Sequence, residues 1–189
     1  MATPTEVLIE VTRILEDLSI PYFVVGSFAS SARGVRRATI DGDLVADVRP
    51  ENISDIVDRL TARDFYVDEL AVRRAVTEER AFNAIHRGSM FKIDIHISND
   101  EFSKMEMKRR LPETILPKSD AIVYIATAED TVLAKLVWFR KGGEVSDRQW
   151  SDVLGILKLQ ANQLDYQYMQ EWSERLGVRD LLHKALGEA

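Results

Sequence analysis

Hydrophobic positions along the chain follow two different spacings. Between residues 5 and 18 they recur every three or four positions, which is typical of one face of a helix, and Pro21 ends that segment. Residues 22–25 are a short run of β-prone apolar residues, and residues 91–97 alternate between apolar and polar side chains as a strand does. The pattern therefore predicts mixed α and β structure in the first part of the chain.

After about residue 126 the hydrophobic pattern is helical throughout. Thr127 and Ser146 are suitable caps for two helices, and Gly177 separates two shorter helices that follow. The tryptophans of this region stand among leucine and valine at helical spacing, and we expect them to pack between helices. They are Trp138, Trp150 and Trp172.

The change of pattern indicates two parts and an α+β fold class. We predict a mixed β-sheet flanked by helices in residues 1–126, followed by a helical C-terminal part in residues 127–189 that packs against it. Residues 98–120 carry the weakest pattern, although a helix over about 100–110 is indicated.

Composition narrows the class of protein further. The 189 residues are 46% hydrophobic and 30% charged, as in ordinary globular proteins. The absence of cysteine excludes a disulfide scaffold, a zinc–thiolate site and a cysteine nucleophile. A formal net charge of −6 argues against a surface that binds nucleic acid as a whole, so only a local basic patch could do so. Without a signal-peptide pattern or an apolar run near ~20 residues, we expect a cytoplasmic protein with no membrane segment.

Three aspartates stand out as candidate metal ligands. Asp41 and Asp43 are two residues apart in a predicted strand, so their side chains point the same way. Two neighbouring carboxylates repel each other unless a cation offsets their charge, and hard oxygen ligands suit Mg²⁺. Asp94 lies on the polar face of the strand over 91–97, together with Lys92 and His96. A solvated surface pair is the alternative for Asp41 and Asp43.

A glycine and a serine directly upstream are candidate phosphate ligands. Gly26 and Ser27 follow a predicted strand and begin a helix, an arrangement that suits a phosphate, although a plain strand-to-helix turn has the same sequence. Arg33, Arg36 and Arg37 come next, and a guanidinium matches phosphate oxygens. The alternative for these arginines is a solvated basic loop.

Together these residues resemble the signature of the nucleotidyltransferase superfamily. The signature comprises Gly26-Ser27, the basic loop, Thr39-x-Asp41-x-Asp43-Leu44-Val45 and a third Asp on a later strand, here Asp94. The closest resemblance is to minimal, abortive-infection-toxin-like (AbiEii-type) members, which carry a lysine on a later helix, here Lys135. The resemblance implies a nucleotidyltransferase-fold sheet. One departure is Gly42, where the family usually has an apolar residue, and we expect it to loosen the packing beneath the carboxylates.

The resemblance also implies a reaction. A nucleoside monophosphate would pass from an NTP to a hydroxyl of an RNA, protein or small-molecule acceptor, with Asp41, Asp43 and Asp94 holding two Mg²⁺ ions. Asp94 would also act as general base. The remaining site residues are Lys135, in the catalytic group, and four residues for nucleotide and phosphate, Gly26, Ser27, Arg36 and Arg37. The alternative is a catalytically weak or inactive nucleotide-binding module of a toxin–antitoxin type system, with a protein partner.

A basic run offers a candidate surface for the acceptor. Residues 104–110 contain four basic residues and one acid, Glu106, against the acidic background of the chain. Such runs are usually solvated helix faces. If this run borders the site, it favours a polyanionic acceptor such as RNA.

Overall fold

The computed structural model describes residues 2–35, 39–116 and 120–189. In these ranges the helices are α1 (Pro4–Asp17), α2 (Gly26–Ala32), α3 (Ile53–Ala62), α4 (Glu69–Thr77), α5 (Glu101–Arg109), α6 (Ala128–Lys141), α7 (Asp147–Gln160), α8 (Tyr166–Arg175) and α9 (Arg179–Glu188), with a 3₁₀ turn at Pro50–Asn52. The strands are β1 (Tyr22–Val25), β2 (Asp41–Ala46), β3 (Phe65–Tyr66), β4 (Ala81–His86), β5 (Phe91–Ile97), β6 (Leu111–Thr114) and β7 (Ile122–Ile125).

The described strands form one mixed sheet, which confirms the predicted α+β class. Its strand order is β3-β4-β5-β2-β1-β7-β6. Strand β2 is antiparallel to β1 and parallel to β5. As a result, β1 ends at the same end of the sheet at which β2 and β5 begin.

Alternation along β2 and β5 separates a core face from a polar face. Gly42, Leu44 and Ala46 are buried, whereas Asp41 and Asp43 are partly exposed. In β5, Phe91, Ile93 and Ile95 are buried in the same alternating way. Helix α1 packs on the core face, and its N-terminus is fixed by a capping box between Thr3 and Glu6.

The contacts divide the described chain into two compact units. The first comprises residues 2–28, 39–116 and 120–126 and contains the whole described sheet with α1, α3, α4 and α5. The second comprises residues 29–35 and 127–189 and contains α6 to α9. Helix α2 begins in the first unit and ends in the second. Residues 29–35 therefore group with α6 to α9.

The helical unit has a core of its own. Apolar side chains from all four helices meet in it, and Val35 packs against the same cluster. Thr127, Ser146 and Asp165 each accept a hydrogen bond from a backbone N–H at the start of a helix, which stabilises α6, α7 and α8. Over the three described ranges, the helices are too short or too polar to cross a membrane.

Candidate active site

Three carboxylates lie at the end of the sheet where β1 stops and β2 and β5 start. Asp43 of β2 is in direct register with Asp94 of β5, and on its other side with Val25, the last residue of β1. Asp41 is one side-chain position further toward the same end, in register with Lys92. Neighbouring strands are ~4.8 Å apart and paired residues share a face. We call Asp41, Asp43 and Asp94 the acid site.

Gly26 brings the backbone directly against one of these carboxylates. Its φ of +63° is in the left-handed region, and a Cβ added there would lie 2.1 Å from Oδ2 of Asp43. Any side chain at this position would therefore both strain the backbone and displace the carboxylate. The next residue, Ser27, is buried at the start of the seven-residue helix α2. The predicted Gly-Ser turn thus lies beside the predicted metal ligand.

Lys92 introduces a positive charge into the acid site. Its Nζ lies 2.5 Å from Oδ2 of Asp94. The hydrogen bond to Asp94 raises the pKa of Lys92, partial burial opposes this, and the negative charges of Asp94, Asp41 and Asp43 add to the increase. Strand alternation predicts that Lys92 lies on the polar face of β5 but does not indicate a function for it. Its spacing of two residues from Asp94 was the available signal, because side chains at i and i+2 of a strand are neighbours on one face.

His96 lies two residues after Asp94 on the same face of β5. Its Nε2 is 3.9 Å from Oδ1 of Asp43, which is too long for a direct hydrogen bond. Searched across the described ranges, the His, Asp and Glu side chains give no group of three or more arranged to hold a metal ion. The donor set nevertheless fits Mg²⁺ chemically, because carboxylate oxygens are its usual protein ligands and these three already attract the ammonium of Lys92. Asp94 can bind a metal ion through Oδ2 only if the ammonium of Lys92 moves away from that oxygen.

The predicted loosening at Gly42 is wrong. Gly42 is buried, and a Cβ added to it would lie 2.6 Å from Cδ1 of Ile93, with Phe91 and Leu8 at 3.5 and 3.6 Å. The side chain of Ile93 therefore fills the space that an apolar residue would occupy. The absence of a side chain at position 42 is compensated from the neighbouring strand, so the core beneath the carboxylates is closed.

Lys135 lies in the helical unit in a buried ion pair. Its Nζ is 2.8 Å from Oδ2 of Asp152, and the two side chains are only 9% and 5% exposed. The hydroxyl of Ser30 lies 3.5 Å from the same carboxylate oxygen. A lysine held in this way has a structural explanation, so its catalytic role stays a prediction. The predicted phosphate ligands Arg36 and Arg37 lie outside the described residues.

The basic end of α5 lies at the same end of the sheet as the acid site. Leu111 pairs with Ile125, Ile125 with Val24, and Val24 with Leu44, the residue after Asp43. Position 110 is therefore level with Asp43, three strands away or roughly 14 Å. The guanidinium of Arg110 stacks 4.8 Å from the centre of the Tyr124 ring, which fixes its position.

The described chain has the nucleotidyltransferase fold. It superimposes on the crystal structure of ANT(2")-Ia in complex with adenylyl-2"-tobramycin with a TM-score of 0.57 and 13% identity, covering 92% of this chain and 96% of that one. A nucleotidyltransferase-like antigenic protein from Paracoccidioides brasiliensis gives 0.56 and 16%, over 96% and 91% of the two chains. The lincosamide antibiotic adenylyltransferase LnuA, lincomycin-bound, gives 0.51 and 12%, over 80% and 95%.

At these identities the likeness is one of fold. No family model matches the sequence, and no curated protein matches it. The structural neighbours thus support the predicted nucleotidyltransferase fold, whereas the resemblance to the superfamily's signature and the closer one to abortive-infection-toxin-like members stay predictions.

Proposed function

We propose that the protein is a nucleotidyltransferase that moves a nucleoside monophosphate from an NTP to an acceptor hydroxyl. The observation that carries the proposal is the direct register of Asp43 with Asp94, with the backbone of Gly26 against the Asp43 carboxylate. Two adjacent acids at one end of a nucleotidyltransferase-fold sheet supply carboxylate oxygens for a metal ion, and the Gly26 turn beside them presents backbone without a side chain, as phosphate-binding turns do.

Some of the site residues would bind the NTP donor, and others would act on the acceptor hydroxyl. Asp41, Asp43 and Asp94 would hold the two predicted Mg²⁺ ions, which when bound neutralise phosphate charge and lower the pKa of the acceptor hydroxyl. Asp94 accepts the proton of that hydroxyl. The acceptor oxygen then forms a bond to the α-phosphorus, the bond from the α-phosphorus to the bridging oxygen breaks, and pyrophosphate leaves. Gly26 and Ser27, with the predicted Arg36 and Arg37, position the phosphates.

Asparagine substitutions at the acids test the proposal. We expect Asp94→Asn to abolish transfer of label from α-³²P-NTP while NTP binding in the presence of Mg²⁺ remains measurable, because Asp94 serves the acceptor. Asp43→Asn should weaken both. Asp47→Asn is the matched control, since Asp47 lies just after β2 and pairs with Arg49. Transfer that survives Asp94→Asn would refute the proposed base, and equal loss of NTP binding in both acid variants would refute the division of roles.

The four nucleotides should be assayed separately with a cell extract as the source of acceptor. Label in an RNA, protein or small-molecule fraction would identify the acceptor class. NTP binding without transfer in any fraction would instead support the alternative, a nucleotide-binding module whose activity is weak or absent. An RNA or protein acceptor would be compatible with a toxin-type enzyme.

For the acceptor we favour a polyanion such as RNA. ANT(2")-Ia is complexed with an adenylylated aminoglycoside and LnuA with lincomycin. An aminoglycoside is a cation and would favour an acidic acceptor pocket. This chain instead places the basic end of α5 level with the acid site, with Lys108 exposed and Arg110 fixed on an aromatic ring. Contacts from these residues to phosphates would add affinity without sequence specificity.

The salt dependence of RNA binding tests this choice. Each neutralised phosphate of a single strand contributes about −0.7 to the slope of log K against log salt. Replacement of Lys108, Arg109 and Arg110 by alanine should therefore flatten the slope by about two. Changing Arg59 of α3 and Arg63, the residue after α3, to alanine is the control and should leave the slope unchanged; both arginines pair with Asp17. An unchanged slope in the triple variant would assign these residues to an ordinary solvated face.

A further inference from the structure

The acid site contains its own cation. The ammonium of Lys92 is held at 2.5 Å by Asp94, and Lys92 is in strand register with Asp41. The side chain of Lys92 remains 40% exposed, so it can rotate toward solvent without disturbing the core. Its neighbours on the adjoining strand β4 are Ile85 and, opposite Asp94, Asn83, neither of which is charged. The charges that hold Lys92 in place are therefore those of the acid site.

We infer that Lys92 is an internal counter-ion that competes with a divalent cation for the acid site and thereby sets its metal affinity. The inference rests on the proposed function, because it takes the three aspartates as metal ligands. Without metal, Lys92 offsets part of the repulsion among the carboxylates. A metal ion that binds Asp94 through the oxygen now held by Lys92 must displace the ammonium, and any ammonium left nearby repels the ion.

The geometry limits the size of this competition. A half-exposed ion pair is weak, because water screens both partners and the long lysine side chain loses freedom when it is held. Metal binding is therefore reduced and not prevented. Removal of the Lys92 charge should tighten metal binding by roughly three- to tenfold, since loss of an exposed pair alone accounts for up to about fivefold and the repulsion of a dication adds to it.

Direct titration of the metal-free protein with Mn²⁺, followed by electron paramagnetic resonance of the free ion, measures this affinity without catalysis. Lys92→Met removes the charge and retains most of the side chain, and we expect its Kd for Mn²⁺ to fall by three- to tenfold relative to the unchanged protein. Lys92→Arg keeps the charge and should stay within about twofold. Lys158→Met, at an exposed lysine on α7, is the matched control and should also stay within twofold.

Two further measurements separate a specific role from a general loss of stability. In an Asp94→Asn background, the effect of Lys92→Met should shrink toward onefold, because the group for which lysine and metal compete is gone. The metal-free Lys92→Met variant should also melt at a lower temperature than the unchanged protein and gain more from saturating Mn²⁺, because only the metal then offsets the carboxylates.

The outcomes distinguish this inference from the proposed function. If the unchanged protein binds Mn²⁺ but Lys92→Met binds it equally or more weakly, Lys92 is an ordinary surface partner of Asp94 and the inference is wrong, while the metal site stands. If neither protein binds Mn²⁺ at millimolar concentration, the acid site is not a metal site, and both the inference and the proposed metal-dependent reaction are overturned.

Discussion

Replacing Lys135 by methionine should lower the free energy of unfolding by about 3–5 kcal/mol. The substitution keeps an unbranched side chain of similar length but removes the ammonium that lies 2.8 Å from the Asp152 carboxylate. Asp152 is only 5% exposed, so water cannot replace the lost partner. The buried Asp152 carboxylate then loses its cationic partner, and the Ser30 hydroxyl 3.5 Å away carries no charge that could replace it.

The distance sets the size of the effect. Two unit charges 2.8 Å apart attract each other by about 6 kcal/mol at an effective dielectric constant of about 20. Burial removes both charged groups from water, and this desolvation offsets part of the attraction, so the net contribution of the pair to stability is small. Removal of one partner has a larger effect, because the other charge stays buried without its counter-charge. The double variant Lys135→Met/Asp152→Leu should therefore recover most of the lost stability, because an apolar pair of similar volume is neutral or stabilising at a buried site.

Urea unfolding followed by tryptophan fluorescence is a suitable assay. All three tryptophans lie in residues 127–189, so their signal reports on the helical unit that contains the pair. Lys158→Met, at an exposed lysine on α7, is the control and should change the free energy by less than about 0.5 kcal/mol. A loss below about 1 kcal/mol for Lys135→Met would refute the reasoning.

The same variants decide whether Lys135 has a catalytic role as well. If its role is structural only, the double variant should regain transfer activity together with its stability. If Lys135 contacts the substrate, the double variant should be folded but inactive, with a normal urea midpoint. The stability measurement therefore has to accompany every activity measurement at this position.

Two glycines of the sheet unit give further predictions. Gly42→Ala should lower the free energy of unfolding by about 1–3 kcal/mol, because the new methyl group meets Cδ1 of Ile93 at 2.6 Å, and adding Ile93→Val, which removes that atom, should recover part of the loss in urea unfolding. Unaltered stability in Gly42→Ala would show that the site has free space. Gly26→Ala should impair Mn²⁺ binding in the titration described above, because its methyl group would meet the Asp43 carboxylate, and it should destabilise the fold by about 1 kcal/mol or more, because a φ of +63° strains an alanine. An unchanged Mn²⁺ affinity in Gly26→Ala would show that the Gly26 turn does not influence metal binding at the acid site.

Local periodicity was sufficient to predict the strands that carry the acid site. Alternation over 91–97 put Asp94 on the exposed face of β5, and the spacing of Asp41 and Asp43 put both on one face of β2. These assignments depend only on which neighbours in sequence are apolar, and the structure confirms them. The helix over residues 100–110 was likewise predicted from a weak pattern and is α5.

Features that depend on partners distant in sequence were not accessible in this way. Strand β6 contains Pro112 and is mostly exposed, so neither composition nor alternation marks it, and it exists because it pairs with β7. The helical spacing predicted that Trp138 packs between helices, but its side chain is 53% exposed, with the ammonium of Lys141 5.2 Å from the ring. A wide apolar stripe does not specify which of its members face the neighbouring helix.

The participation of residues 29–35 in the helical unit has a consequence for how the chain folds. Ser30 lies against Asp152, 122 positions later, and Val35 fills the space that a side chain on Gly155 would need. During synthesis, residues 29–35 are therefore made well before residues 127–189, with which they pack. Such distant pairings close large loops and slow folding, and they make the helical unit a late product of the nascent chain. The sheet unit can therefore fold first, while the helical unit is completed only when residues 29–35 meet residues 127–189.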